Sequence, residues 1–118
     1  EKLIYFFFYI FLKYILYFFF SNKYKISKLS ISKIEGCVHL TIDIDGLDGS
    51  LVPATGTPVP GGLSFWHVVQ TIETLFSSCN VISADVNEIV RQEDTPLTQF
   101  TAAMIATKIT AAVIANRR

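Results

Sequence analysis

The sequence predicts an α/β domain built on parallel strands, preceded by an apolar, helical N-terminal segment. Three observations carry this. Composition breaks sharply near residues 35 and 36. Beyond the break, short β-rich runs alternate with longer stretches at helical spacing. The first β-rich run is mostly apolar, as in a strand of a parallel sheet covered on both faces. At 118 residues the chain holds one modest domain, which excludes a large multidomain assembly.

Ten Lys and Arg balance ten Asp and Glu, which excludes a strongly basic nucleic-acid binder. The balance is uneven along the chain. Residues 1–35 carry six Lys against Glu1 and Glu35, net +4, while residues 36–118 carry three Arg and Lys108 against eight acids, net −4. Two segments are therefore expected, 1–35 and 36–118.

Residues 1–34 use only eight amino-acid types and hold all five Tyr and seven of the ten Phe. The 18-residue run 3–20 is interrupted only by Lys13. As a helix it would be about 27 Å long, just enough to span a bilayer core of about 30 Å. Lys13 at mid-bilayer would cost roughly 2.5–3.5 kcal/mol. Lys23, Lys25, Lys28 and Lys33 follow closely, and the positive-inside rule would put everything downstream in the cytoplasm. No small-residue cleavage site follows, against a cleaved signal peptide. The chain opens with Glu, and this restricted residue set is also what unselected AT-rich DNA encodes. A mistranslated flank, a membrane anchor and a soluble element stay open as readings of the segment.

Residues 37–44 (Cys-Val-His-Leu-Thr-Ile-Asp-Ile) form the first expected strand. Residues 46–62 hold five Gly and three Pro, which forbid regular structure and predict a long ordered loop of the kind that carries function. Ser64 is the expected N-cap of a helix reaching Ser78, with Phe65, Val68, Val69, Ile72, Leu75 and Phe76 as its apolar stripe. Asn80 ends that helix, and residues 81–86 form a second strand running toward Glu88. A polar loop, 87–96, leads to a terminal helix over 98–116, with Arg117 and Arg118 at its C-terminal end, where positive charge suits the helix dipole.

Asp43 and Asp45 lie two residues apart at the end of the first expected strand, and because strand side chains alternate faces, both are expected on the same side. Two carboxylates so close repel, and a hard divalent cation such as Mg or Mn relieves the repulsion. Ligands of open α/β sheets gather at the carboxyl ends of strands. From these residues alone, a metal site and a solvated strand end are both open.

The loop narrows the choice. The stretch Thr41-Ile-Asp-Ile-Asp-Gly-Leu-Asp-Gly, continuing through Pro53-Ala-Thr-Gly-Thr57 to Gly61-Gly62, resembles the signature of the arginase/agmatinase (ureohydrolase) family. The likeness extends to Asp85-Val-Asn-Glu88, similar to the family's second-strand D-x-x-E, and covers about residues 37–118. It implies the C-terminal third of a three-layer α/β/α arginase-like fold. It also implies Asp43 as a ligand bridging two Mn ions, Asp45 as a ligand of one, and a hydroxide made from their shared water. Thr57 lies near the substrate by this resemblance, and Glu88 pairs with the guanidinium of a small guanidino substrate. Urea and an amine would be the products. Ala54 leans toward arginine over agmatine. The complete family protein is expected to be cytoplasmic and homo-oligomeric.

Departures from the pattern are specific. Gly49 stands where the family has Pro after the third Asp, and Val90 and Arg91 stand where it has Pro after the Glu. The upstream G-D-H and D-A-H-x-D stretches that complete the metal site do not occur, so the chain by itself is expected to bind Mn weakly and to be inactive. A non-catalytic, membrane-tethered relic or interaction module is the alternative reading. His39 is expected to be a packed histidine and His67 a partly exposed one. Asp48 is expected to fix the loop through backbone hydrogen bonds, and Asp85 to give structural support. Cys37 and Cys79, without C-x-x-C spacing, are expected to be buried free thiols.

Overall fold

Along β1 (Cys37–Asp43) every second residue turns inward: Val38, Leu40 and Ile42 are buried, while His39, Thr41 and Asp43 are half-exposed. This alternation is the period of a strand with one apolar face. The computed structural model describes residues 31, 34, 36–91, 93 and 96–116; the run 3–20 lies outside them, as do Arg117 and Arg118.

After β1 come a 3-10 turn (Ile44–Gly46), the long loop, helix α1 (Phe65–Ser78), strand β2 (Asn80–Asn87) and helix α2 (Leu97–Ala115). The strands pair in parallel, with His39 opposite Ser83, Thr41 opposite Asp85 and Asp43 opposite Asn87. The register slips between Val38 and His39, and Ile82 is left unpaired and exposed there.

Ser64 caps α1 as expected: its hydroxyl accepts the His67 N–H, and the His67 ring accepts the Ser64 N–H in return. His67 is thus half of a capping box, a more definite structural role than partial exposure suggested. The helix closes at Cys79, whose N–H donates to the Leu75 carbonyl, and Asn80 already pairs with Cys37. Asn80 therefore opens β2 and does not end α1. Both cysteines are free and half-buried, less enclosed than expected.

The core forms where Val38, Leu40 and Ile42 meet Val68, Ile72, Leu75 and Phe76 of α1 and Ala102, Ile105 and Ile109 of α2. Ile31, only 1% exposed, joins them from ahead of β1. Lys108 of α2 reaches over the Trp66 ring of α1. By length and composition α2 could cross a membrane, yet it packs into this core. Among the described residues the helices cover one face of the sheet. The strand expected to be covered on both faces keeps its second face polar and open there, because Thr41, Asp43, Ser83, Asp85 and Asn87 offer no apolar surface for another layer.

Candidate functional site

The backbone leaves β1 at Asp43 and tightens at once, with the Leu47 N–H donating to the Ile44 carbonyl. Asp45 therefore sits in the 3-10 turn and not on the strand, so the two aspartates do not share a strand face. It is the turn that keeps Asp45 at the strand end beside Asp43. Both are half-buried.

The loop that follows is clasped at its base. Leu63 N–H donates to Gly46 O and Asp48 N–H to Leu63 O, each at 3.0 Å, and Gly49 N–H donates to Val59 O at 2.8 Å. Gly62 is required at this clasp, since a Cβ there would lie 2.4 Å from the Leu47 carbonyl carbon. Asp48 binds the loop to itself, accepting the Ser50 N–H, the Ser50 hydroxyl and the Gly61 N–H, as expected. Those bonds hold its carboxyl below the ordinary aspartate range.

Three contacts set the upper loop. Thr57 Oγ1 donates to Asp45 Oδ2 at 2.5 Å, the Ala54 N–H donates to Thr98 Oγ1 at 2.8 Å, and Thr101 Oγ1 donates to the Leu51 carbonyl at 3.0 Å. Thr98 is completely buried. Beyond β2, the Val90 N–H donates to the Ala54 carbonyl at 3.1 Å, which draws the end of β2 onto the loop. Between them Glu88 adopts φ +63, the left-handed region that a non-glycine residue occupies only under constraint. Its Oε2 lies 3.9 Å from the position a Gly56 Cβ would take, so it faces the loop backbone.

The open face of the sheet carries a continuous hydrogen-bond chain. The Asp85 carboxylate accepts from Thr41 Oγ1 at 2.6 Å, from Asn87 Nδ2 at 2.6 Å and from His39 Nε2 at 2.8 Å. Because a carboxylate only accepts, Nε2 carries the His39 proton, and on a neutral ring Nδ1 accepts from Ser83 Oγ at 2.6 Å. His39 is thus a half-exposed member of a polar network, not a core histidine. The Thr41 bond first, with His39 and Asn87 assisting, holds the Asp85 carboxyl below its ordinary range. Asp43 is shifted the other way: burial, then the charges of Asp45 and Asp85, raise its carboxyl, and a hydrogen bond from Asn87 partly opposes them.

An open cleft of about 550 Å³ lies against this face, lined by Asp43, Asp85, Asn87 and Glu88 among others. Asp43, Asp45, Thr57 and Glu88 thus gather around the carboxyl ends of two parallel strands and the loop between them. Asp43 and Asp45 are oxygen donors whose mutual repulsion a hard divalent cation would offset, so the donor set fits such an ion. Among the described residues, no group of three or more His, Cys, Asp or Glu side chains could hold a metal ion. The sequence reading missed Asn87, Thr98 and Thr101. Asn87, expected at the start of the loop 87–96, instead closes β2 on the same face as Asp85; nothing marked the two threonines among the others of α2.

A β–loop–α–β unit with acids at its strand ends is that of an α/β protein whose ligand site lies at the carboxyl ends of its strands. The Arginase family model matches residues 23–112, and the chain belongs to that family. It is 44% identical over 68 residues to the N(1)-aminopropylagmatine ureohydrolase of Thermococcus kodakarensis, covering 58% of this chain and 24% of the relative. It is 39% identical over 75 residues to the agmatinase of Pyrococcus horikoshii, covering 64% and 26%. The crystal structure of arginase from Bacillus subtilis superimposes with a TM-score of 0.64 at 31% identity, covering 74% of this chain and 32% of that one. The chain thus spans about a quarter of the length of the curated relatives it matches.

Proposed function

We propose that the chain supplies one part of a ureohydrolase active site, in which a guanidino C–N bond is hydrolysed to urea and an amine. The convergence of Thr57 on Asp45, with Glu88 turned onto the same loop, carries this reading. Asp43 and Asp45 would hold Mn ions. When bound, the ions supply Lewis acidity and an activated water. Glu88, held in its left-handed conformation, presents a carboxylate that can pair with a guanidinium through two parallel hydrogen bonds. Thr57 fixes the Asp45 carboxylate by donating to Oδ2.

Relatives named for aminopropylagmatine and agmatine hydrolysis support a guanidino substrate, and Ala54 inclines the reading to L-arginine. Two aspartates leave each ion short of ligands, so the chain by itself is inactive in this reading. We place the complete protein in the cytoplasm as a homo-oligomer.

The test is a graft of residues 37–112 into a full-length family member in place of its matched segment. Urea release from L-arginine, agmatine and N1-aminopropylagmatine is then measured with Mn. Release that Asp43→Ala nearly abolishes supports the reading. A folded, Mn-loaded graft that releases urea from none of the three sinks it.

A further inference from the structure

Among the described residues Glu88 alone, glycines aside, has a left-handed backbone. Such a conformation persists only where the chain on either side is held. On its N-terminal side Asn87 pairs with Asp43 at the end of β2. On its C-terminal side the Val90 N–H donates to the Ala54 carbonyl at 3.1 Å. Ala54 is fixed in turn, because its own N–H donates at 2.8 Å to Oγ1 of Thr98 in the first turn of α2. That threonine has no exposed surface. Ala54 is thus gripped at both of its backbone polar groups, and two hydrogen bonds link α2 to the chain just beyond Glu88.

From this linkage we propose that Thr98 is a positioning residue for Glu88: its hydroxyl fixes Ala54, Ala54 fixes Val90, and the strained backbone between β2 and Val90 then keeps the Glu88 carboxylate facing the loop. The proposal rests on the reading of Glu88 as the carboxylate that pairs with the guanidino group. Two parallel hydrogen bonds to a guanidinium require the carboxylate plane to be set beforehand. A backbone released from the left-handed region would carry the whole side chain with it. Thr98 suits the task on two counts. Its branched side chain is stiff at χ1, and its burial keeps water from replacing the hydroxyl as the partner of Ala54. A valine would fill nearly the same space and leave the Ala54 N–H without an acceptor.

Two measurements test the proposal. In the 118-residue chain, amide exchange is followed by nuclear magnetic resonance for wild type, Thr98→Val and Thr98→Ser. Thr98→Val should speed exchange about tenfold at both Ala54 and Val90, relative to the clasp amides of Asp48, Gly49 and Leu63, and Thr98→Ser should restore the wild-type rates. Unchanged exchange at Val90, or equal acceleration at the clasp, overturns the relay. In the full-length graft carrying residues 37–112, KM and kcat are compared for Thr98→Val, Thr98→Ser, Glu88→Gly and the Thr98→Val/Glu88→Gly pair. The substrate is whichever of L-arginine, agmatine and N1-aminopropylagmatine the graft hydrolyses. Thr98→Val should raise KM about fivefold with kcat and bound Mn unchanged, and Thr98→Ser should restore it. The double variant should match Glu88→Gly, because Thr98 acts through Glu88. If Glu88→Gly raises KM and the two effects add in full, or if Thr98→Val lowers kcat alone, the positioning role is wrong and the reading of Glu88 stands. An unchanged KM in Glu88→Gly, or a folded, Mn-loaded graft that releases no urea, overturns the reading of Glu88 and the positioning role with it.

Discussion

Thr57 and Asp45, twelve residues apart, are joined by a hydrogen bond from the threonine hydroxyl to the carboxylate Oδ2. This contact ties the far side of the loop to the turn that ends β1. A hydrogen bond to a charged group contributes roughly 1.5–3 kcal/mol, and exposure of Thr57 puts this one at the low end. Thr57→Val should leave the core intact while amide exchange in residues 54–60 speeds up about tenfold, measured by hydrogen–deuterium exchange. Unchanged exchange there would mean that the base clasp alone orders the loop.

Gly62→Ala should be the most damaging single methyl in the described structure. Its Cβ would meet backbone atoms of Leu47 and Asp48, which cannot swing aside as a side chain would. Forced overpacking against backbone costs about 3 kcal/mol or more. Chemical denaturation should show the loss, and a variant within about 0.5 kcal/mol of wild type would mean that the clasp gives way easily.

Glu88 sets backbone strain against its proposed role in binding substrate. Its left-handed backbone costs on the order of 1 kcal/mol, which glycine relieves at some entropic expense in the unfolded chain. Glu88→Gly should therefore melt no lower than wild type. In the full-length graft the same change should raise KM for the guanidino substrate at least tenfold while bound Mn stays constant. A parallel loss of Mn would contradict a substrate role for this carboxylate.

Acid should open the loop before it opens the core. The folded-state carboxyl of Asp48 titrates below its ordinary value of 3.8 because of the Ser50 hydroxyl, the Ser50 N–H and the Gly61 N–H. A depressed folded value contributes stability that is fully present above the unfolded value and is lost as pH falls through the folded one. Asp48→Asn should therefore melt below wild type at neutral pH, with the gap closing below about pH 4. Melting curves from pH 3 to 7 measure it, and a constant gap would rule out ionisation of Asp48 as the cause.

The elements were legible because their signals are local. Ser64 and the stripe from Val68 to Phe76 fixed α1 almost to the residue, and the Gly and Pro of the loop announced it. The expected coverage of β1 on both faces was wrong, because the apolar run conceals that His39, Thr41 and Asp43 share one side. For Asp43 and Asp45 the expected shared strand face was wrong: nothing local shows that the strand stops between them and a 3-10 turn takes over. The contacts of Thr98 and Thr101 depend on a fold that brings residues 44 and 50 positions apart together, and a linear pattern carries no such information.

The buried hydroxyls of Thr98 and Thr101 make the last helix part of the scaffold that shapes the loop. A premature stop codon just after position 91 would spare every carboxylate discussed above, yet it would strip two of the anchors that shape the loop. Nonsense and frameshift changes that remove residues 97–115 should thus disturb the loop as a lesion within it would, although none of the missing residues belongs to the proposed site.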